Sequence, residues 1–409
     1  MAAPLSHEQR PRVLTLTSTL PAVPGDGTPE FVLSLARSMA DRYEITILAP
    51  RVRAGQPRER IDGVEIHRFP YFPRRWEGLA EGAILPNLQT QRWRWVEAPL
   101  LVGSFWWHAF RLAIRTRPQV VHAHWAIPAG LVALTLKATM RLPYVLTVHG
   151  GDAYALRAFP FRWVKRRVMK GAHTVAPVSR DLVDALEVSG DPSRLPVVPM
   201  GVDVDAIRDA IKERSPVAGR FVFVGRLVEK KGVDVLIRAL ADVPDATLVI
   251  VGDGPDRPAL EALAGDLGLL HRVRFTGRAP RVSVMDELRE AYALVIPSKV
   301  AQGGDQEGTP VVMAEGMAAG VPVVASRLGG LAEHIDSGLT GLLVTPGSVT
   351  DLARALSEAI ADPLALRAYQ ERASAFVRDT LDIRVTTLRY ERILESAICA
   401  SADPRGRKR

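Results

Sequence analysis

Two glutamates with seven residues between them, Glu307 and Glu315, frame the segment of this chain best suited to hold a charged ligand. In EGTPVVMAEGMAAGVPVVAS (Glu307 to Ser326), Thr309 is placed to cap a helix whose first residue is Pro310, where a missing N–H costs nothing. The helix is expected to run to Gly320, ahead of a strand at Pro322 to Ala325. Gly308 and Thr309 would then bring backbone to a helix start, which suits a phosphate or a polar sugar. Taken alone, the two acids read as a helix-start residue and a surface residue.

Other segments add to them. VGRLVEKKG places Arg226 and Lys231 just beyond an apolar run, where a diphosphate needs neutralising, although either cation alone reads as a solvated surface charge. VIVGDGP ends another run in a turn whose Gly252 and Gly254 permit close backbone approach; the third glycine of a dinucleotide fingerprint is missing. RLGGLAEHI sets Gly329 and Gly330 after a further run. In the first half, His149 follows the run PYVLTV and precedes two glycines, which suits a ligand contact or a structural histidine. Asp152 suits either a ligand contact or the cap of the next helix. Trp125 ends VHAHW, and PGDGT supplies Gly25, Asp26 and Gly27. His122 and His124 share one strand face, but no third metal ligand accompanies them, so no metal site is assigned. The D-x-D of Asp203 and Asp205 reads as linker.

Positioning these residues requires sheets. Short β-branched runs alternate with helical patterns throughout, which calls for parallel strands joined by crossover helices. One series holds RVLTLT, EITILA, VEIHRF, QVVHAH, PYVLTVHG and HTVAPVS, with a helix over Glu30 to Arg42 after the first. A second starts near residue 220 with RFVFVGR and continues through ATLVIVGDG, RVRFTG, ALVIPS, PVVAS and GLLV. Two doubly wound α/β domains are therefore expected, residues 1–200 and 201–380. VVPMGVDVD connects them, and residues 381–409 form a C-terminal helix, packing back on the first domain, with a basic tail. Open α/β sheets bind ligands beyond the carboxyl ends of their strands, which is where most of these residues fall.

Composition narrows the class. At 409 residues, 47% hydrophobic and 24% charged, the chain suits two globular cores. One cysteine, Cys399, permits no internal disulfide and suits a reducing cytosol. Val13 to Thr17 reads as a first strand rather than a signal peptide, and no stretch reaches the roughly 18 apolar residues of a membrane span. The net charge of +8 is uneven: Arg51 to Arg117 holds twelve Arg against six acids, and the tail RGRKR adds four cations. No helix-turn-helix or zinc pattern supports a nucleic-acid partner.

VGRLVEKKG, VGDGP, the Glu–seven–Glu segment and GGLAEHI…GLTGLLVTPG occur in an order that resembles glycosyltransferase family 4. VHAHW, PYVLTVHGGDAYAL, PVSRDL and VPMGVD resemble landmarks of its first domain. The resemblance implies the GT-B fold, two Rossmann-like domains facing a cleft. It also implies transfer with retention from a nucleoside diphosphate sugar, UDP-sugars foremost, to a hydroxyl of a glycan, glycolipid or small molecule, with no cofactor and no metal. By the same resemblance Glu307 would hold the donor sugar, Glu315 the ribose hydroxyls, Arg226 and Lys231 the diphosphate, and His149 the sugar or acceptor. Gly252, Gly254, Gly308, Thr309 and Pro310 would line the donor. Gly25, Asp26, Gly27, Trp125 and Asp152 would meet the acceptor or sugar. Two departures stand out: PGDGT lacks paired glycines, and Thr309–Pro310 replaces an aromatic–glycine pair, so Pro310 offers no N–H to the sugar. The alternatives are a sugar-nucleotide epimerase of the same architecture and a non-catalytic sugar-nucleotide-binding subunit.

Trp76, Trp93, Trp95, Trp106 and Trp107 lie within the Arg-rich stretch. Rings and cations together suit an anionic membrane surface, a homodimer interface, or the packing of an insertion's own core. The first of these would make the protein peripheral on the inner face of a membrane, and otherwise it is expected in the cytoplasm.

Overall fold

The computed structural model describes residues 10–402 except 24–27, 29, 83, 85–86, 89–90, 155–158 and 187–194. Gly25, Asp26, Gly27 and the basic tail therefore lie outside the described residues. Two compact units divide the chain: residues 1–178, 183–198 and 387–409 form one, and residues 179–182 and 199–386 the other.

The first domain contains β1 (Arg12–Leu16), β2 (Glu44–Pro50), β3 (Arg58–Ile61), β4 (Val64–Phe69), β5 (Val120–His124), β6 (Tyr144–Val148) and β7 (Thr174–Pro177). Its sheet runs β3-β4-β2-β1-β5-β6-β7, parallel throughout except that β3 pairs antiparallel with β4. The central strands are buried along their whole length, as strands covered on both faces must be, and this is why they read as unbroken apolar runs. β3, with the sequence RERI, has no such run. It is a charged edge strand, a form that discourages pairing with another chain, and its polarity hides it from a search for apolar runs. Helices α1 (Phe31–Met39), α2 (Glu97–Thr116), α3 (Leu131–Met140), α4 (Gly150–Tyr154) and α5 (Phe161–Gly171) follow. α1 is shorter than the expected Glu30–Arg42, and Glu30 occupies its N-cap position without capping the helix through its side chain.

After α6 (Arg180–Ala185) and α7 (Val204–Ile211) come β8 (Arg220–Val224), α8 (Val233–Ala241), β9 (Thr247–Val251), α9 (Arg257–Asp266), β10 (Val273–Gly277) and α10 (Arg281–Glu290). They are followed by β11 (Ala293–Ile296), α11 (Val311–Ala318), β12 (Val323–Ser326), α12 (Gly329–His334) and β13 (Leu342–Val344). The second sheet is wholly parallel in the order β10-β9-β8-β11-β12-β13. Alternation along β8 sends Phe221 and Phe223 into the core on one face and Val222 into the core on the other. The expected pair of doubly wound domains is what forms. The D-x-D is not linker: Asp203 caps α7 by accepting from the Ala206 N–H at 2.9 Å, and Asp205 pairs with Arg384 at 2.9 Å.

The chain ends in α13 (Val349–Ala361), α14 (Pro363–Thr380) and α15 (Ile383–Ala402). The later turns of α15 pack on α1. Arg42, just past α1, reaches Glu391 at 2.6 Å and Glu395 at 2.8 Å, and Ser38 meets Thr387 at 2.5 Å.

Candidate active site

In each sheet the strand order reverses at one point, between β1 and β5 in the first domain and between β8 and β11 in the second. Crevices open there, beyond the carboxyl ends of the strands.

In the second domain the loop after β8 carries Arg226 and Lys231, and the loop after β11 carries Glu307. Glu307 is buried, and its carboxylate meets Lys231 Nζ at 2.9 Å, with Lys230 Nζ at 4.0 Å. Burial pushes the Glu307 pKa up, but the two lysines outweigh it and hold the group below its ordinary value, so the carboxylate stays ionised. Lys230 also pairs with Asp305 at 3.0 Å. The sequence suggests separate partners for Lys231 and Glu307; the structure joins them.

Arg226 is different. It is half-buried, and among the described residues it has no acidic partner. Burial and the charge of Arg278, beyond β10, both lower its pKa. Two like charges that disfavour one another, with no acidic partner for Arg226 among the described residues, form a site that an oxyanion relieves.

The glycines prove to serve the protein's own backbone. A Cβ on Gly252, at φ +146°, would sit 1.8 Å from the Gly225 carbonyl oxygen, and one on Gly254 would sit 2.2 Å from that of Leu227. The position of each such Cβ is taken by the loop after β8, and the Gly254 N–H donates to the Asp253 carboxylate at 2.8 Å. Likewise a Cβ on Gly330 would strike the Thr309 hydroxyl, which wedges the start of α12 against residues 307–309.

The cap of α11 corrects the expectation. Pro310, not Thr309, is the N-cap; the helix begins at Val311 and makes no side-chain cap bond. A proline there leaves an extended residue before the first turn, which moves the helix start one residue on. The helix ends at Ala318, with Gly320 at φ +68° terminating it. Glu315, on α11, is bound by Arg281 at 2.9 Å. Gly308 gives its carbonyl to the Gly330 N–H at 3.0 Å.

In the first domain His149 lies one residue beyond β6. Its ring lies 4.5 Å from that of Trp125 and 5.1 Å from that of Phe31, centroid to centroid, and its Nε2 is 3.3 Å from Nδ1 of His124. Trp125 holds φ +69°, a conformation costing a bulky residue about 1–3 kcal/mol and concentrated at functional sites. Asp152 is buried. It accepts from the N–H groups of Ala126 at 2.8 Å and His149 at 3.0 Å, tying together the loops after β5 and β6.

Behind this cluster runs a buried polar chain. Thr147 donates to the Tyr390 hydroxyl at 3.3 Å, and Tyr390 donates to the Val198 carbonyl at 3.4 Å. His122 Nε2, 2.8 Å from the Thr147 oxygen, is therefore the donor to it. Burial depresses the pKa of His122 to about 4 and of His149 to about 3, and holds that of His124 well below its ordinary value. Among the described residues no cluster of three or more His, Cys, Asp or Glu is placed to hold a metal.

These shifts fix a pH dependence. Below pH 6.5 the unfolded chain takes up three protons that the folded histidines refuse, which destabilises the fold. Asp152 acts oppositely: burial raises its folded pKa to about 6, so folding gains its proton first and offsets one histidine. Two net protons at about 1.4 kcal/mol per pH unit each leave a steep loss of stability between pH 6 and 4. Melting midpoints measured from pH 7.5 to 4.5 should fall accordingly. A flat profile would mean that these histidines are solvated.

Residues 26–201 match the family model described as Glycosyl transferase 4-like domain, and residues 208–376 match Glycosyl transferases group 1. The two together cover both doubly wound domains. The chain belongs to the family-4-type glycosyltransferases. The chain is 34% identical over 252 residues to the GDP-mannose-dependent α-(1-6)-phosphatidylinositol monomannoside mannosyltransferase of Mycolicibacterium smegmatis. That match takes in 58% of this chain and 66% of the relative. The chain spans 61–66% of the length of three curated relatives that it matches, this one included. Among solved structures, the sucrose-phosphate synthase of Thermosynechococcus elongatus superposes with a TM-score of 0.78 at 20% identity, over 96% of this chain and 100% of that one. Anabaena HepE bound to UDP-glucose gives 0.72 at 20% identity, over 94% and 99%. These likenesses show the GT-B fold of the chain. Sequence reasoning missed Arg278, Arg281, Lys230, Phe31 and Tyr390. Two carried a signal: Lys230 lies within VGRLVEKKG, and Arg278 directly follows a strand of the second sheet.

Proposed function

We propose that the transferase moves a sugar from a nucleoside diphosphate sugar, a UDP-sugar foremost, to a hydroxyl of a glycan, glycolipid or small molecule, retaining the anomeric configuration. The half-buried Arg226, pressed by Arg278 and lacking an acidic partner among the described residues, carries this reading. A diphosphate supplies the anion that the pair lacks, and UDP-glucose and GDP-mannose in the descriptions of its relatives agree with such a donor. As the bond from the anomeric carbon to the phosphate oxygen breaks, charge grows on the diphosphate; Arg226, Arg278 and Lys231 stabilise it. The acceptor oxygen bonds to the anomeric carbon on the same face, its proton passes to the departing phosphate oxygen, and UDP leaves. No metal enters this scheme. Glu307 holds the donor sugar, Glu315 the ribose hydroxyls, and the His149–Trp125 rings offer a flat surface to a sugar ring.

UDP-, GDP- and ADP-sugars, each tested for protection against thermal unfolding, identify the base. Arg226→Ala and Arg278→Ala should each lower kcat/KM at least about tenfold, and the double variant should lose less than the product if they act as a unit. Wild-type kinetics in Arg226→Ala would remove the reading's foundation. UDP release that requires acceptor and persists in EDTA marks a transferase; release without acceptor points to an epimerase, and protection without turnover to a binding subunit.

A further inference from the structure

From Ala98 to Arg180 the chain carries twelve Lys and Arg and a single acid, Asp152, although Asp and Glu make up 45 of its 409 residues. Asp152 is buried, so the surface formed by this stretch is of one sign. Much of that surface is one layer of helices: α2 packs on α3 and α3 on α5, with α2 and α3 also packed on the strands of the first sheet.

The outward side of the layer is both cationic and apolar. On α2, the residues Leu101, Phe105 and Leu112 are buried, while Leu100, Trp107 and Ile114 form a second apolar stripe, each about half exposed. Residues seven apart fall on one line of a helix, so the stripe is continuous. An isolated exposed leucine would need no explanation, but a second apolar face on an already packed helix does. Arg111, exposed one turn along, lies over the Trp107 ring. On α5, Arg162, Arg166, Arg167 and Lys170 are exposed with Trp163, and Arg167 lies over its ring. Phe159, just before α5, is 83% exposed. The expectation from the sequence centred on the Arg-rich stretch of residues 51–117; the structure adds α5 and shows that Trp107 is not packing an internal core.

We propose that the outer face of α2, α3 and α5 docks on an anionic lipid bilayer. Cations meet the headgroups, and Trp107, Trp163 and Phe159 enter the boundary with the acyl chains, as amphipathic interfacial helices do. A polyanion such as RNA would satisfy the arginines and could stack on the tryptophans. It would leave the aliphatic Leu100 and Ile114 in water, whereas a bilayer accommodates both sets. Among the described residues no helix is long and apolar enough to cross a membrane, so the contact is with its surface. The inference is independent of the sugar-transfer reading, because it rests on helices outside both crevices.

Cosedimentation of the full chain with vesicles tests it, using phosphatidylcholine alone and phosphatidylcholine with phosphatidylglycerol. Binding should be at least about tenfold tighter to the anionic vesicles and should weaken as salt rises. The triple variant Arg162→Ser, Arg166→Ser, Arg167→Ser should lose at least about tenfold of that affinity. Leu100→Ser with Trp107→Ser should lower binding about as much, because both substitutions remove apolar contact. Brominated acyl chains should quench tryptophan fluorescence in the unaltered protein, a readout needing no variant. Equal affinity for both vesicle types, or no quenching on bound vesicles, overturns the proposal. So does a short RNA or heparin that binds as tightly and ignores the Leu100/Trp107 substitutions. Protection by UDP, a property of the second domain, reports separately on the sugar-transfer reading.

Discussion

Glu307→Gln is expected to cut transfer by about 10²–10³-fold while leaving UDP binding equal to, or tighter than, that of the unaltered transferase. The substitution keeps the shape of the side chain and removes only its charge. That charge holds Lys231 at 2.9 Å and draws Lys230 toward it. Once it is gone, Lys231 is free to turn to the diphosphate, so nucleotide affinity has no reason to fall, whereas the proposed hold on the donor sugar is lost. Glu315→Ala provides the contrast. It releases Arg281 and, on the proposed assignment to the ribose, weakens UDP binding by about 1–3 kcal/mol with turnover at saturating donor largely kept. Turnover assays and UDP-induced thermal shifts on both variants separate the two roles. Full turnover in Glu307→Gln would show that the carboxylate serves only to hold the lysines.

The second large effect belongs to the scaffold. Gly252→Ala is expected to destabilise the second domain by at least about 3 kcal/mol, lowering its melting midpoint by about 6–12 °C. The new Cβ would lie 1.8 Å from a backbone oxygen, and relieving that clash means separating loops joined by hydrogen bonds from Gly225 N to Val251 O and from Gly252 N to Gly277 O, both 2.9 Å. Gly268→Ala is the control. Its φ is also positive, at +68°, but no atom lies within 4 Å of the added Cβ, so only the strain of about 1 kcal/mol remains. If the two variants melt alike, backbone approach is not the reason for glycine at 252. Because the loop after β8 carries Arg226, Gly252→Ala should also blunt UDP protection at temperatures where the domain is still folded.

Much of the architecture was legible because it is local. A parallel strand covered on both faces reads as an apolar run, as β5, β6 and β11 do, and twelve of the thirteen described strands fall on runs expected from the sequence. The charged β3 does not, since this antiparallel edge strand has no fully buried residue and so little need of apolar ones. The placement of Arg226, Lys231 and His149 beyond strand ends, and of Glu307 on the loop leading into a helix, was equally open to view, because the doubly wound topology fixes where strand ends meet.

What the sequence by itself determined, then, is the pair of doubly wound domains, their family and which loops approach each crevice: these follow from periodicity and from motif order along one chain. Only the tertiary structure decided which charges face one another. Lys231 is paired with Glu307, Glu315 with Arg281, and Arg226 is set against Arg278; each pairing joins loops or helices tens of residues apart, and no periodicity encodes it. It likewise placed Tyr390 against Thr147 across 243 positions and set the backbone of the loop after β8 where a Cβ at 252 or 254 would stand. The physical reason is that hydrogen bonds, ion pairs and desolvation depend on distances of a few ångströms in space, which folding sets between residues that the linear order keeps far apart.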